Sequence, residues 1–164
     1  ASLALYGLRA SGLKLQNLAD GLRDAEWPGR LEWLGDTLLD GAHNPQGART
    51  LRDYLSEHFP DTRMTLITGM MRDKQIDACA AILAPLFSQV IATRVDEPRA
   101  AEPEQVAATY AALGCKTATA ASVEEALQTT GGMRVVAGSL YLVGAARALL
   151  KGESEWNFTT SRCS

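Results

Sequence analysis

The chain has 164 residues, of which 46% are hydrophobic and 21% charged, and its formal net charge is −3. This fits one globular domain with a small appendage and enough apolar side chains for a core. The mild acidity excludes a general attraction to nucleic acid or to an anionic membrane, so an anionic ligand has to be met by local cations. No apolar run is long enough to span a bilayer, and no basic-then-apolar leader is present. Cys79, Cys115 and Cys163 are odd in number and widely spaced. They form neither a metal-ligand pattern nor a disulfide framework, and a reducing, cytoplasmic setting fits them.

In chain order, Leu3, Leu5 and Leu8 belong to one short helical pattern and Leu15, Leu18 and Leu22 to a second, with Gly12 between them. Ala1 stands directly inside the first pattern, which reads as a piece cut from something longer. Trp27-Pro28-Gly29 closes this section. Segments 31–34 and 37–40 flank Gly35-Asp36, a two-residue hairpin signal. Asn44 and Pro45 then suit the cap and first position of a helix whose Ala48, Leu51, Tyr54 and Leu55 recur at helical spacing. Strands are expected at 63–68, 89–94, 115–119 and 133–137, separated by helical patterns. Glu102-Pro103 opens one helix. Ser122 and Glu125 form a capping box for another, which Gly131-Gly132 stops, and the last helix runs from about Leu140 to Lys151. The tail 153–164 is polar and is expected to be poorly ordered.

This alternation predicts βαβ units in an α/β, Rossmann-like three-layer domain with a mixed, mostly parallel sheet of about six strands, the hairpin strand running antiparallel. Parallel strands bring their carboxyl ends to one edge, where helix N-termini also favour anions. Asp40-Gly41-Ala42-His43-Asn44-Pro45 lies at such a junction. Gly69–Lys74, Asp96–Arg99 and Gly138-Ser139 follow other strands. The expectation is therefore that His43, Arg72, Lys74, Arg99 and Ser139 surround one crevice suited to carboxylates or phosphates.

Five stretches carry a resemblance. They are PGRLE (Pro28–Glu32), LLDGAHNPQGA (Leu38–Ala48), GMMRDK (Gly69–Lys74), DEPRAAEPEQ (Asp96–Gln105) and GSLYLVG (Gly138–Gly144). In this order they resemble the carboxyl-terminal part of folylpolyglutamate synthase, whose bacterial members often double as dihydrofolate synthase, within the Mur ligase superfamily. The resemblance implies an ATP-dependent, amide-forming ligase. MgATP phosphorylates a folate or dihydropteroate carboxylate, and the amine of glutamate attacks the acyl phosphate. The P-loop, the Mg2+ ligands and most of the folate pocket are expected in an amino-terminal ATPase domain, since G-x-x-x-x-G-K-[ST] is absent from this chain. Residues 1–27 would then be a helical remnant of that domain, 28–152 the glutamate-ligase domain, and 153–164 a tail. No turnover is expected from this chain alone.

The same resemblance implies roles. Arg30 and Asp40 match nucleotide-binding positions, the aspartate through ribose hydroxyls. Arg72 and Ser139 match glutamate-binding positions. His43 matches a residue at the glutamate or phosphate end of the site, and is the candidate catalytic group here, though not as general base. The helix's positive end disfavours a charged ring, so a neutral donor is expected. No metal ligands are expected in this chain. Each residue also has a plainer reading: Arg30 as a solvated charge, Asp40 as a turn former, Arg72 as a loop cation bonded to Asp73, Ser139 as a helix cap. Two other functions are carried: a non-catalytic binding or interaction module using the same crevice, and a ligase acting on a peptidoglycan precursor or another amino-acid polymer. No G-x-G-x-x-G follows a strand, which disfavours a nicotinamide enzyme.

Overall fold

The computed structural model describes residues 27–153. The helical patterns expected before Trp27 and the tail beyond Glu153 lie outside the described residues. The sheet has six strands in the order β1-β2-β6-β3-β4-β5. They are β1 (Glu32–Leu34), β2 (Thr37–Asp40), β3 (Met64–Thr68), β4 (Phe87–Thr93), β5 (Lys116–Ala120) and β6 (Arg134–Ala137). β1 is antiparallel to β2 across the Gly35-Asp36 turn, and the other pairings are parallel. The helices are α1 (Pro45–His58), α2 (Ile76–Leu83), α3 (Pro103–Ala112), α4 (Val123–Gln128) and α5 (Leu140–Lys151). The expected α/β class, with a mixed and mostly parallel six-stranded sheet, is the one found.

Side-chain alternation along the strands explains the layers. Leu38, Leu66, Val90 and Val135 point to one face and pack with Leu51 and Leu55 of α1, Cys79 and Leu83 of α2, and Val106 and Tyr110 of α3. Their neighbours Leu39, Ile67, Ile91 and Val136 point to the other and meet Ala126 of α4 and Leu142, Val143 and Ala146 of α5. A period of two thus fills both sides, so these strands read as unbroken apolar runs.

Local chemistry sets the ends. Asn44 Oδ1 accepts from Gly47 N at 2.9 Å and Pro45 occupies the first turn of α1. Ser122 Oγ accepts from Glu125 N at 3.1 Å, but Glu125 Oε2 takes the N–H of Ala121, one residue before the cap. α4 ends at Gln128, before Gly131-Gly132, because the hydroxyls of Thr129 and Thr130 bond the carbonyls of Glu125 and Ala126. β4 begins at Phe87, earlier than expected. The 3₁₀ turn Ala84–Leu86 delivers the buried Phe87 straight into the sheet.

The register aligns Asp40 with Ala137, Ala137 with Thr68, and Thr68 with Ala92. β2, β6 and β3 therefore end level, and each is followed by glycine. A Cβ at Gly41 would lie 2.3 Å from Leu140 Cδ2, one at Gly69 2.5 Å from Thr93 O, and one at Gly138 2.7 Å from Thr68 Oγ1. Gly138 also has φ +122. Gly69→Ala is expected to destabilise the fold by about 2 kcal/mol, since the backbone carbonyl of Thr93 has to move. Gly131→Ala, with open space around it, is expected to stay within about 0.5 kcal/mol of the parent in urea unfolding.

Candidate functional site

β2 delivers Asp40 to the carboxyl edge of the sheet. The residue is 8% exposed. Oδ2 accepts the N–H of Leu31 at 3.1 Å and Oδ1 the N–H of Ala42 at 2.9 Å. Leu31 is the one non-glycine at positive φ among the described residues, at +48. Gly41 N–H donates to Gly29 O at 2.8 Å, so 29–31 runs alongside the strand end. Arg30 on this segment is exposed. Its guanidinium carbon lies 3.6 Å from where a Gly41 Cβ would sit.

Beyond Ala42, the His43 Nδ1 lies 2.8 Å from Gly41 O. A carbonyl oxygen only accepts, so Nδ1 carries the hydrogen and a neutral ring offers Nε2 as an acceptor. In this tautomer the neutral ring spends its one hydrogen on the Gly41 carbonyl. His43 donates to a ligand through Nε2 only as imidazolium.

Two pockets meet at His43. The larger, about 370 Å³, is lined by Arg30, Asp40, His43, Asn44, Gln46 and Thr50, among others. The smaller, about 160 Å³, is lined by His43, Met71, Lys74, Arg99, Ser139 and Tyr141, with Gly138 and Leu140. Ser139 is buried and caps α5, its Oγ accepting from Tyr141 N at 3.2 Å. Lys74 and Arg99 flank Asp73 at 3.5 and 3.8 Å.

Of the cations expected around the crevice, Lys74 and Arg99 line it and Arg72 does not. Arg72 is exposed, its guanidinium donates to Pro98 O, and its N–H donates to Arg99 O at 2.8 Å. Together with the Met71–Ala100 bridge and the bond from Ala101 N to Met70 O, this zips the loops after β3 and β4 into a short ladder. The plainer reading, a loop cation bonded to Asp73, gives way to this bracing between loops. Gln46, Thr50 and Tyr141 line the pockets without having been singled out from sequence. The helical spacing from the Asn44 cap was the available signal for Gln46 and Thr50, which lie one turn apart.

Among the described residues, no group of three His, Cys, Asp or Glu side chains is arranged to hold a metal ion. No described helix is long and apolar enough to cross a membrane.

The sequence profile of the family described as Mur ligase, glutamate ligase domain, matches residues 29–147. The chain belongs to this family. The chain is 37% identical over 147 residues to folylpolyglutamate synthase of Lacticaseibacillus casei, covering 84% of this chain and 33% of that protein. The structure of FolC from Escherichia coli in complex with DHPP and ADP superposes with a TM-score of 0.81 at 26% identity, covering 91% of this chain and 38% of the other. The bifunctional folylpolyglutamate synthase/dihydrofolate synthase of Yersinia pestis, complexed with AMPPNP and Mn ion, gives a TM-score of 0.79 at 28% identity, covering 90% and 38%. The Mur ligase domain therefore spans about a third of the length of these relatives.

Two carboxylates of this domain titrate in opposite directions. Asp36 is held below the usual carboxylate range, chiefly by the hydrogen bond from Arg134. Its stabilisation is complete above the unfolded-chain value and is lost as pH falls through the lower folded value. Half exposed, it contributes under about 1 kcal/mol. Asp40 is pushed up by burial, against the N–H groups of Leu31 and Ala42 and the charge of Arg30. Its ionisation costs stability in full above the folded value, and that cost vanishes as pH falls to the unfolded value. Carboxyl-carbon NMR titration is expected to give Asp40 a midpoint above that of Asp36. The reverse order contradicts the burial argument.

Proposed function

We propose that this chain is the glutamate-ligase domain of an ATP-dependent folylpolyglutamate synthase, with or without dihydrofolate synthase activity, spanning residues 28–152. In this reading 1–27 ends a preceding ATPase domain, which supplies the P-loop, the Mg2+ ligands and most of the pocket for folate or dihydropteroate. The observation that carries it is the meeting of two pockets at His43 on the carboxyl edge of the sheet, with Arg30 in one and Lys74 and Arg99 in the other. The larger pocket suits the nucleotide. Arg30 supplies a guanidinium there for phosphate oxygens, and the carboxylate of Asp40 retains lone pairs for a hydroxyl. The smaller pocket suits glutamate, with Lys74 and Arg99 as cations and Ser139 at the start of α5.

Chemically, the γ-phosphoryl group of ATP passes to the folate carboxylate, giving an acyl phosphate and ADP. The glutamate amine then attacks the acyl carbon, the C–N bond forms, phosphate leaves, and the amine loses its proton. His43 lies between the two ligands. Its Nε2 accepts from the incoming amine when the ring is neutral and donates to the phosphate when it is charged. Closure of the larger protein over both pockets keeps water from the acyl phosphate. Since this chain lacks the P-loop pattern, we assign turnover to the larger protein. The unpaired cysteines Cys79 and Cys115 fit a cytoplasmic setting.

Arg72 was expected to take the glutamate carboxylate. Held at Pro98, it serves in this proposal to brace the loop that presents Lys74. Isothermal titration of the chain with L-glutamate tests the assignment. Lys74→Ala and Arg99→Ala are each expected to weaken binding by about tenfold, the loss of one charge-assisted hydrogen bond. Arg72→Ala is expected to weaken it less. Equal affinities for parent, Lys74→Ala and Arg99→Ala remove glutamate from the smaller pocket.

A further inference from the structure

The segment Pro28–Leu31, which carries Arg30, is tied down more firmly than an exposed turn requires. Every backbone N–H from Gly29 to Leu31 has a partner: Gly29 donates to Glu32 Oε2 at 2.7 Å, Arg30 to Trp27 O at 3.0 Å, and Leu31 to Asp40 Oδ2 at 3.1 Å. The carbonyl of Gly29 accepts from Gly41 N. Gly29 itself, at φ +72, sits so close to α5 that a Cβ there would be 2.7 Å from Val143 Cγ1. Leu31 is held in the left-handed region, where a branched side chain is strained and stays only if its surroundings insist.

The two carboxylates that make these bonds are anchored elsewhere. Glu32 is 18% exposed and takes Arg147 Nε at 3.0 and 3.1 Å on its two oxygens, while Arg147 is 13% exposed. Asp40 has its second oxygen on Ala42, the residue before His43. The strap is thus joined on one side to α5 and on the other to the loop that carries the histidine. The side chain it bears is the opposite: the Arg30 guanidinium has no hydrogen-bond acceptor among the described residues and reaches beside Gly41 in the larger pocket. A fixed backbone under a cationic head with no hydrogen-bond acceptor among the described residues is what preorganised anion binding needs, because the ordering cost falls on folding and not on the ligand.

We infer that Glu32 and Asp40 are positioning residues that lock the strap Pro28–Leu31 at two points and so fix where Arg30 meets an anion in the larger pocket. Glu32 reaches that anion only through Arg30, whereas Asp40 also keeps the lone pairs proposed above for a hydroxyl. The identity of the anion as a nucleotide phosphate rests on the function proposed above, whereas the locking does not.

Amide hydrogen exchange and arginine side-chain NMR on the whole 164-residue chain separate the two. Glu32→Gln is expected to speed exchange at Gly29, and Asp40→Asn at Leu31, by roughly tenfold each, the consequence of losing one charge-assisted hydrogen bond. Val135 and Val136 in the central β6 should keep their parental rates, which shows that the fold persists. Exchange at Gly29 and Leu31 that does not respond to these variants overturns the locking. The second arm titrates MgADP while following the Arg30 Nε–H signal. Glu32→Gln is expected to raise the dissociation constant by roughly fivefold to tenfold, and to add nothing further in an Arg30→Ala background. A Glu32→Gln loss that adds fully to that of Arg30→Ala overturns the positioning role, because that carboxylate would then act independently of Arg30. An Arg30 signal that ignores MgADP in the parent chain, with exchange responding as expected, retires the nucleotide reading and leaves the locked strap standing.

Discussion

Three adjacent parallel strands that stop at the same level govern this molecule. Asp40, Ala137 and Thr68 stand side by side in register, and the next residue of each strand is a glycine whose missing Cβ lets the following loop cross its neighbour closely. The level ending brings the loops after β2, β3 and β6 to a common height. His43, Lys74 and Ser139, far apart in sequence, reach the same pocket for that reason.

Electrostatics then differentiates the two ends of the sheet. At the end away from the pockets, Asp36 in the hairpin turn pairs with Arg134, which also donates to Leu127 O at 2.8 Å and joins the turn, β6 and α4. The Arg134 Nε is buried without a hydrogen-bond partner among the described residues, so this junction is not fully satisfied. At the pocket end, Asp40 is buried and opposed by desolvation, and the amides of Leu31 and Ala42 hold it ahead of the charge of Arg30. One end is clamped by a partly exposed ion pair. The other organises backbone around a carboxylate and leaves Arg30 free to pair outward.

Much of this was legible from residue order. Asn44-Pro45 announced α1, Gly35-Asp36 the hairpin, and the polar loops after apolar runs announced a common edge, because turn chemistry and period-two alternation are local properties. Arg72 was misplaced because a long side chain's destination depends on which carbonyl lies within reach, and Pro98 belongs to a different loop. Glu32 passed unnoticed for a similar reason: its partner Arg147 is on α5, at the other end of the chain. The tautomer of His43 was also hidden, since it follows from a backbone carbonyl two residues away that only the folded loop aims at Nδ1.

The row of glycines has a practical corollary for altering what the pockets accept. Gly69 and Gly138 face backbone oxygens and leave little room for a larger residue, whereas at Gly41 the exposed Leu140 side chain can turn aside. Gln46, Thr50 and Tyr141 overhang the same cavities from helices and are exposed. Libraries aimed at selectivity would find their freedom in those overhanging side chains, while the floor beneath them stays fixed.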